Sequence, residues 1–240
     1  MSSRNINYPL IQEPYSNQDI SKAIKVLKSK QITMSNITSE LEKKFAKYVG
    51  SKYALMVNSG SSANLLAAFA LVNPRKKGHI KNGGEFLIPA LCWSTSLWPL
   101  VQAGLKPKFV DVNVDDFNMN ITDLKKKINK KTKAIMAVHV LGNSTNMDEL
   151  KKIVKKKKIF LIEDTCESLG SKFDNKCLGT WGDMGTYSFY VSHQISSGEG
   201  GMIVCDSKSD YDLLYSMRAH GWSRKSNKVS KKDTSFNFIN

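Results

Sequence analysis

The chain has 240 residues, 41% of them hydrophobic and 24% charged, enough for one sizeable core and ordinary for a globular protein. No apolar run reaches the roughly 18–20 residues that span a bilayer, and the start, MSSRNINYPLIQEPYSNQDI, has no signal-peptide core, so a cytoplasmic protein is expected. The net charge of +15 comes largely from Lys125–Lys133 and Lys151–Lys158; their lysines sit beside Leu124, Ile128, Ile153 and Val154 as on solvated helix faces, without aromatic platforms for bases, so nucleic acid is not the expected partner.

An N-terminal arm leads into a helix predicted over Ser16–Lys30. A second helix is predicted from Ser39, where Ser39 and Glu42 have capping-box spacing, Leu41, Phe45 and Val49 form an apolar stripe, and Gly50 provides the stop. The expected division is therefore an arm and helix over 1–38 and a large domain over 39–240. Strands and helices then alternate. Tyr53–Val57 reads as a strand, Asn58–Ser62 as a turn and Ala63–Leu71 as a helix. Glu85–Pro89 is a strand, a helix lies near Ser96–Ala103, and Lys108–Val112 is a strand. Further strands are predicted at Ala134–Val140, Ile159–Glu163, Gly185–Tyr190 and Gly201–Cys205, with helices at Met147–Lys157 and Asp210–Ala219. Continuous apolar strands separated by helices predict an α/β fold with a mostly parallel sheet covered on both faces. The cysteines, Cys92, Cys166, Cys177 and Cys205, lack metal-ligand spacing, so reduced thiols and no metal site are expected.

Ligands of such sheets bind at the carboxyl ends of the strands, where several reactive residues fall. Gly60, Ser61 and Ser62 follow a strand and open a helix, a place where backbone N–H groups and the helix dipole favour an anion. Trp93, after the strand ending at Pro89, either stacks on a flat ring or fills the core. Glu163 and Asp164 end an apolar run, and a buried carboxylate there needs a partner: a protonated ring nitrogen, an arginine or a helix end. His193 lies in a polar loop between two strands, where a histidine is either a surface residue or a general acid–base group.

Three segments in this order resemble the DegT-type nucleotide-sugar aminotransferases, pyridoxal phosphate (PLP) enzymes of fold type I. Asn58-Ser59-Gly60-Ser61-Ser62-Ala63-Asn64 is similar to that family's phosphate turn, Ile162-Glu163-Asp164-Thr165-Cys166-Glu167-Ser168 to its pyridine-nitrogen segment, and Ser188 through Gly201 to its lysine loop. The resemblance runs from about Ser39 to the end and implies the PLP-binding large domain of that fold, without the family's small C-terminal domain. It also shows two departures. The loop position five residues after Ser188, where the aminotransferases carry the Schiff-base lysine, is His193; the next lysine, Lys208, lies beyond the following strand. Glu167 stands where they usually carry glutamine. Both departures resemble the lysine-less 3-dehydratases of 4-keto-6-deoxy sugars, and the run Met217–Arg224 resembles their GDP-4-keto-6-deoxymannose branch.

The resemblance implies the following roles. Gly60, Ser61 and Ser188 contact the phosphate, Trp93 stacks on the ring, Asp164 pairs with the pyridine nitrogen, Glu167 lies near the ring hydroxyl and His193 is the catalytic base. The implied reaction is C-3 dehydration of a nucleotide-diphosphate 4-keto-6-deoxyhexose by PLP and pyridoxamine phosphate (PMP). L-glutamate is the implied amino donor, the enzyme a homodimer, and the pathway that of lipopolysaccharide O-antigen or another cell-surface polysaccharide. Two alternatives stay open: a lysine-less cofactor-binding partner without turnover, and a non-catalytic basic binding protein.

Overall fold

The computed structural model describes residues 11, 13–33 and 35–221. Of the dehydratase-like run, Trp222, Ser223 and Arg224 lie outside the described residues, as does the tail Thr234–Asn240. Helix α1 spans Asn17–Ser29, inside the predicted bounds, with a capping box between Ser16 and Asp19. Helix α2 spans Asn36–Val49 and ends on Gly50 at φ 81°. Its start corrects the predicted one at Ser39: Ser35 is the cap, accepting the N–H of Thr38, and Ser39 lies within the helix. Glu42 serves elsewhere, accepting the N–H of Met56 at 2.9 Å and the Arg218 guanidinium at 2.7 Å.

The remaining elements are β1 (Tyr53–Val57), α3 (Gly60–Val72), β2 (Glu85–Pro89), α4 (Ser94–Gln102), β3 (Lys106–Val110), α5 (Ile121–Lys127), β4 (Thr132–Val138), α6 (Met147–Lys157), β5 (Phe160–Asp164), the short pair β6 (Lys172–Phe173) and β7 (Lys176–Cys177), β8 (Met184–Ser188), β9 (Gly201–Cys205) and α7 (Lys208–Arg218). Seven strands form one sheet in the order β3-β2-β4-β5-β8-β9-β1. Its neighbours pair in parallel except β9, which runs antiparallel to both β8 and β1.

Alternate residues of the strands feed opposite sides of the sheet. Phe86, Ile88, Met136 and Ile203 pack with Ala67 and Leu71 of α3 and Leu213 of α7. Leu87, Ile135 and Leu161 pack with Leu124 of α5 and Leu150 and Val154 of α6. Phe45 of α2 meets the rings of Tyr187 and Phe189 edge-on.

Strands predicted to run to Val112, Val140 and Tyr190 leave the ladder two residues earlier, at Val110, Val138 and Ser188. The apolar pattern outlasts the ladder because these residues turn into loops that pack at the carboxyl end of the sheet: Val112 bridges Met119, Val140 donates its N–H to Asn118 Oδ1, and the Phe189 N–H bonds the Gly200 carbonyl.

A buried ion pair fastens α7 to the chain after α3. Lys76 Nζ lies 2.6 Å from Asp210 Oδ1, with side-chain exposures of 5% and 12%. Lys76→Met leaves a buried carboxylate without its cation, so we expect urea unfolding to show a loss of about 3–5 kcal/mol. Pairing it with Asp210→Leu should recover most of that loss; no recovery would show that the pair is not the source of the cost.

Candidate active site

A cavity of about 660 Å³ opens at the carboxyl ends of the strands. At one end of it α3 begins. Ser59 caps this helix by accepting the N–H of Ser62 at 3.0 Å, and the first backbone bond runs from Ala63 N to Ser59 O. The helix therefore starts at Gly60, three residues before the predicted Ala63, and the N–H groups of Gly60 and Ser61 precede its first intrahelical bond. They are donors at the positive end of the helix dipole, which favours an anion. A Cβ at Gly60 would lie 2.6 Å from Cys166 Sγ and 2.7 Å from Ser188 Cβ, so only glycine lets these three segments meet. Ser188, the last residue of β8, lines the same end.

Asp164 ends β5 and is 5% exposed. Its Oδ2 accepts from Asn64 Nδ2 at 2.8 Å and from Ser96 Oγ at 2.7 Å; its Oδ1 accepts the N–H of Cys166 at 3.1 Å. Among the described residues it has no salt-bridge partner, so of the three partners open to it in sequence the arginine is not present. Glu163 points to the other side of the strand. It is fully buried and accepts the N–H groups of Gly179, Trp181 and Gly182 and, at 3.1 Å, His139 Nε2. Of the two carboxylates that end this strand, only Asp164 lines the cavity.

Trp93 sits just before α4, lines the cavity and is 69% exposed, so it does not fill the core. Glu167 also lines the cavity; its Oε2 accepts the N–H of Leu141 at 3.2 Å, and its carbonyl accepts from Gln194 Nε2 at 2.6 Å. The second bond ties the loop of His193 to the segment after β5. His193 lines the cavity, with its N–H bonded to the Tyr190 carbonyl and its ring edge-on to that of Tyr190. Among the described residues that line the cavity none is a lysine. Lys208 opens α7, pairs with Asp212 and lies 5.4 Å from the centre of the Tyr211 ring. Burial, and then the Asp164 carboxylate, push the Cys166 thiol well above its usual range, so it walls the cavity as a protonated group rather than a nucleophile.

The structure thus gathers Gly60, Ser61, Trp93, Asp164, Glu167, Ser188 and His193 around one cavity. Sequence reasoning missed Asn64, Ser96 and His139. Asn64 had a signal, a polar side chain inside the apolar run Ala63–Leu71; Ser96 and His139 had none beyond their position after a strand.

The DegT/DnrJ/EryC1/StrS aminotransferase family model matches residues 14–238. The GDP-4-keto-6-deoxy-D-mannose 3-dehydratase of Escherichia coli O55:H7 (strain CB9615 / EPEC) is 47% identical over 236 residues, covering 96% of this chain and 61% of that protein. A crystal structure of a GDP-4-keto-6-deoxymannose-3-dehydratase, a histidine-to-asparagine mutant with bound GDP-perosamine, superposes with a TM-score of 0.91 at 44% identity, over 97% of this chain and 62% of the other. Another structure of such an enzyme, with a trapped PLP–glutamate geminal diamine, gives a TM-score of 0.89 at 44% identity, over 96% and 59% of the two chains. The chain therefore spans about three fifths of the length of these relatives, and its fold is the PLP-dependent transferase fold expected from its motifs. Across nearly its whole length it belongs to the DegT/DnrJ/EryC1/StrS aminotransferase family.

Proposed function

We propose that this chain binds PLP and PMP without a covalent lysine link and dehydrates a nucleotide-linked 4-keto-6-deoxyhexose at C-3. The observation that carries the reading is that His193, and no lysine among the described residues, lines a cavity that also holds the N-terminus of α3 and a buried carboxylate lacking a cation.

The residues fit the cofactor. Gly60 and Ser61 offer free N–H groups and Ser188 a hydroxyl to its phosphate. Asp164, Trp93 and Glu167 line the same cavity, where Asp164 would pair with the protonated ring nitrogen, Trp93 would cover the ring and Glu167 would lie by its hydroxyl. When bound, PMP supplies an amine for a sugar ketone and a ring that draws electrons from the neighbouring carbon. Asp164 would keep the nitrogen end of that ring in place, and the N–H groups of Gly60 and Ser61 would hold its phosphate. His193 would take a proton from the C4′ carbon of the bound cofactor and deliver one to the departing 3-hydroxyl of the sugar. Bound GDP-perosamine and the glutamate adduct in the relatives support a nucleotide sugar and L-glutamate as the two reactants.

The reading extends to a PLP-binding large domain, whose expected start at residue 39 falls inside α2 and so moves back to its cap at Ser35, and to a cytoplasmic homodimer in cell-surface polysaccharide synthesis. The dimer is supported by the exposed Leu65 and Phe69 of α3 and Trp98 of α4, on the two helices that open at the cavity. For the location, no helix among the described residues is long and apolar enough to cross a membrane.

Titration of the purified chain with PLP, followed by borohydride and mass analysis, tests the cofactor reading. We expect a saturable absorption change, no reduced lysine adduct, and conversion to PMP on adding L-glutamate. A borohydride-stable adduct on a lysine would return the chain to the ordinary aminotransferases. Absence of binding would reject the reading.

A further inference from the structure

Asn64 is 1% exposed and sits in a helix whose other buried positions are mostly alanine and leucine. A buried amide costs free energy unless its bonding capacity is met. Here Nδ2 donates to Asp164 Oδ2 at 2.8 Å and to the Thr95 carbonyl at 3.1 Å, and Oδ1 accepts from Thr186 Oγ1 at 2.6 Å. One side chain thereby ties α3 to α4, β5 and β8. Ser96, fully buried on α4, gives Asp164 Oδ2 a second donor at 2.7 Å. The two donors load one carboxylate oxygen and stop the group from turning. Oδ1 accepts the Cys166 N–H at 3.1 Å and keeps acceptor capacity to spare.

Asn64 also lies one helical turn beyond Gly60, on the helix whose first N–H groups form the phosphate cradle. A single rigid element thus sets both the anion site and the orientation of the carboxylate. We infer that Asn64, seconded by Ser96, is a positioning residue of this site, which fixes Asp164 so that a bound pyridine cofactor is held in one ring orientation. The inference rests on the cofactor reading above.

The test uses the full chain with PLP as the probe and takes three readings: the dissociation constant, the induced circular dichroism of the bound chromophore at saturation, and the melting temperature without PLP. Asn64→Leu keeps the branched shape at a somewhat larger volume and removes the donor; Thr186 Oγ1 retains the Glu163 carbonyl at 3.2 Å. We expect PLP to bind about tenfold or more weakly and the induced signal per bound cofactor to fall by about half or more, because a ring that turns loses its fixed orientation. Ser96→Ala should move both readings the same way by less, and it carries the test if Asn64→Leu does not fold. A lower melting temperature with an unchanged saturated signal would show that Asn64 merely packs, and would overturn the inference while leaving the cofactor reading intact. Failure of the unaltered chain to bind PLP overturns both.

Discussion

Replacing His193 with asparagine is expected, on the proposed function, to lower C-3 dehydration of GDP-4-keto-6-deoxymannose, read as release of ammonia whose nitrogen L-glutamate supplies, by about 10²–10⁴-fold, the usual contribution of a positioned general acid–base group. Asparagine keeps much of the size and polarity of the histidine but neither takes nor returns a proton. The groups assigned to binding stand on other elements: Gly60 and Ser61 on α3, Asp164 on β5, Trp93 just before α4. The PLP dissociation constant should therefore stay within about threefold, well under one kcal/mol. Turnover and binding thus separate in one variant. His193→Lys is the complementary change, since it restores a nucleophile to a cavity lined by no other lysine among the described residues; borohydride should then trap a lysine adduct that the unaltered chain does not form. A His193→Asn enzyme retaining more than about a tenth of its rate would remove the histidine from the proton transfer.

Asp164→Asn should cost binding rather than turnover alone. The carboxylate receives donors on both oxygens, Asn64 and Ser96 on Oδ2 and the Cys166 N–H on Oδ1. An amide has only one acceptor end. With its oxygen toward Asn64 and Ser96, its NH₂ faces the Cys166 N–H; turned over, it faces the two side-chain donors. Either way donor meets donor in a buried place, and the charge opposite the protonated ring nitrogen is gone. Losing one member of a buried charge pair costs about 3–5 kcal/mol, or about 10²–10⁴-fold in PLP affinity. Titration with PLP checks this, and an affinity within about tenfold of the unaltered chain would show that Asp164 is not the ring-nitrogen partner.

Much of this site was legible in the sequence because its parts are short and local. A glycine–serine turn between a strand and a helix, a carboxylate closing an apolar strand and a polar loop before a glycine-rich strand each carry their own pattern. The ends of several strands were not legible. Val112, Val140 and Tyr190 continue an apolar run, and nothing local marks where the ladder stops and a packed loop begins. The start of α2 was misplaced because Ser35 and Ser39 both precede helix-forming residues, and only the structure shows Glu42 turned toward Met56 and Arg218. The bond between Asn64 and Asp164 joins residues 100 positions apart, and that between His139 and Glu163 spans 24. Sheet order brings such pairs together, and no periodicity encodes it.

The antiparallel strand β9 has a consequence for the order of assembly during synthesis. β1 pairs with β9, and Val57, just ahead of the phosphate turn, lies opposite Gly201, 201 − 57 = 144 residues later. At about 5–20 residues per second, a ribosome takes roughly 7–30 s to supply that partner. Until then β1 lacks its partner in the sheet and α3 lacks β8 and β9 beneath it, so the cradle is the last part of the cavity to close. A nascent chain is therefore expected to complete its anion site only after Asp164 and His193 have been made, so that on the proposed function cofactor capture comes late in its folding.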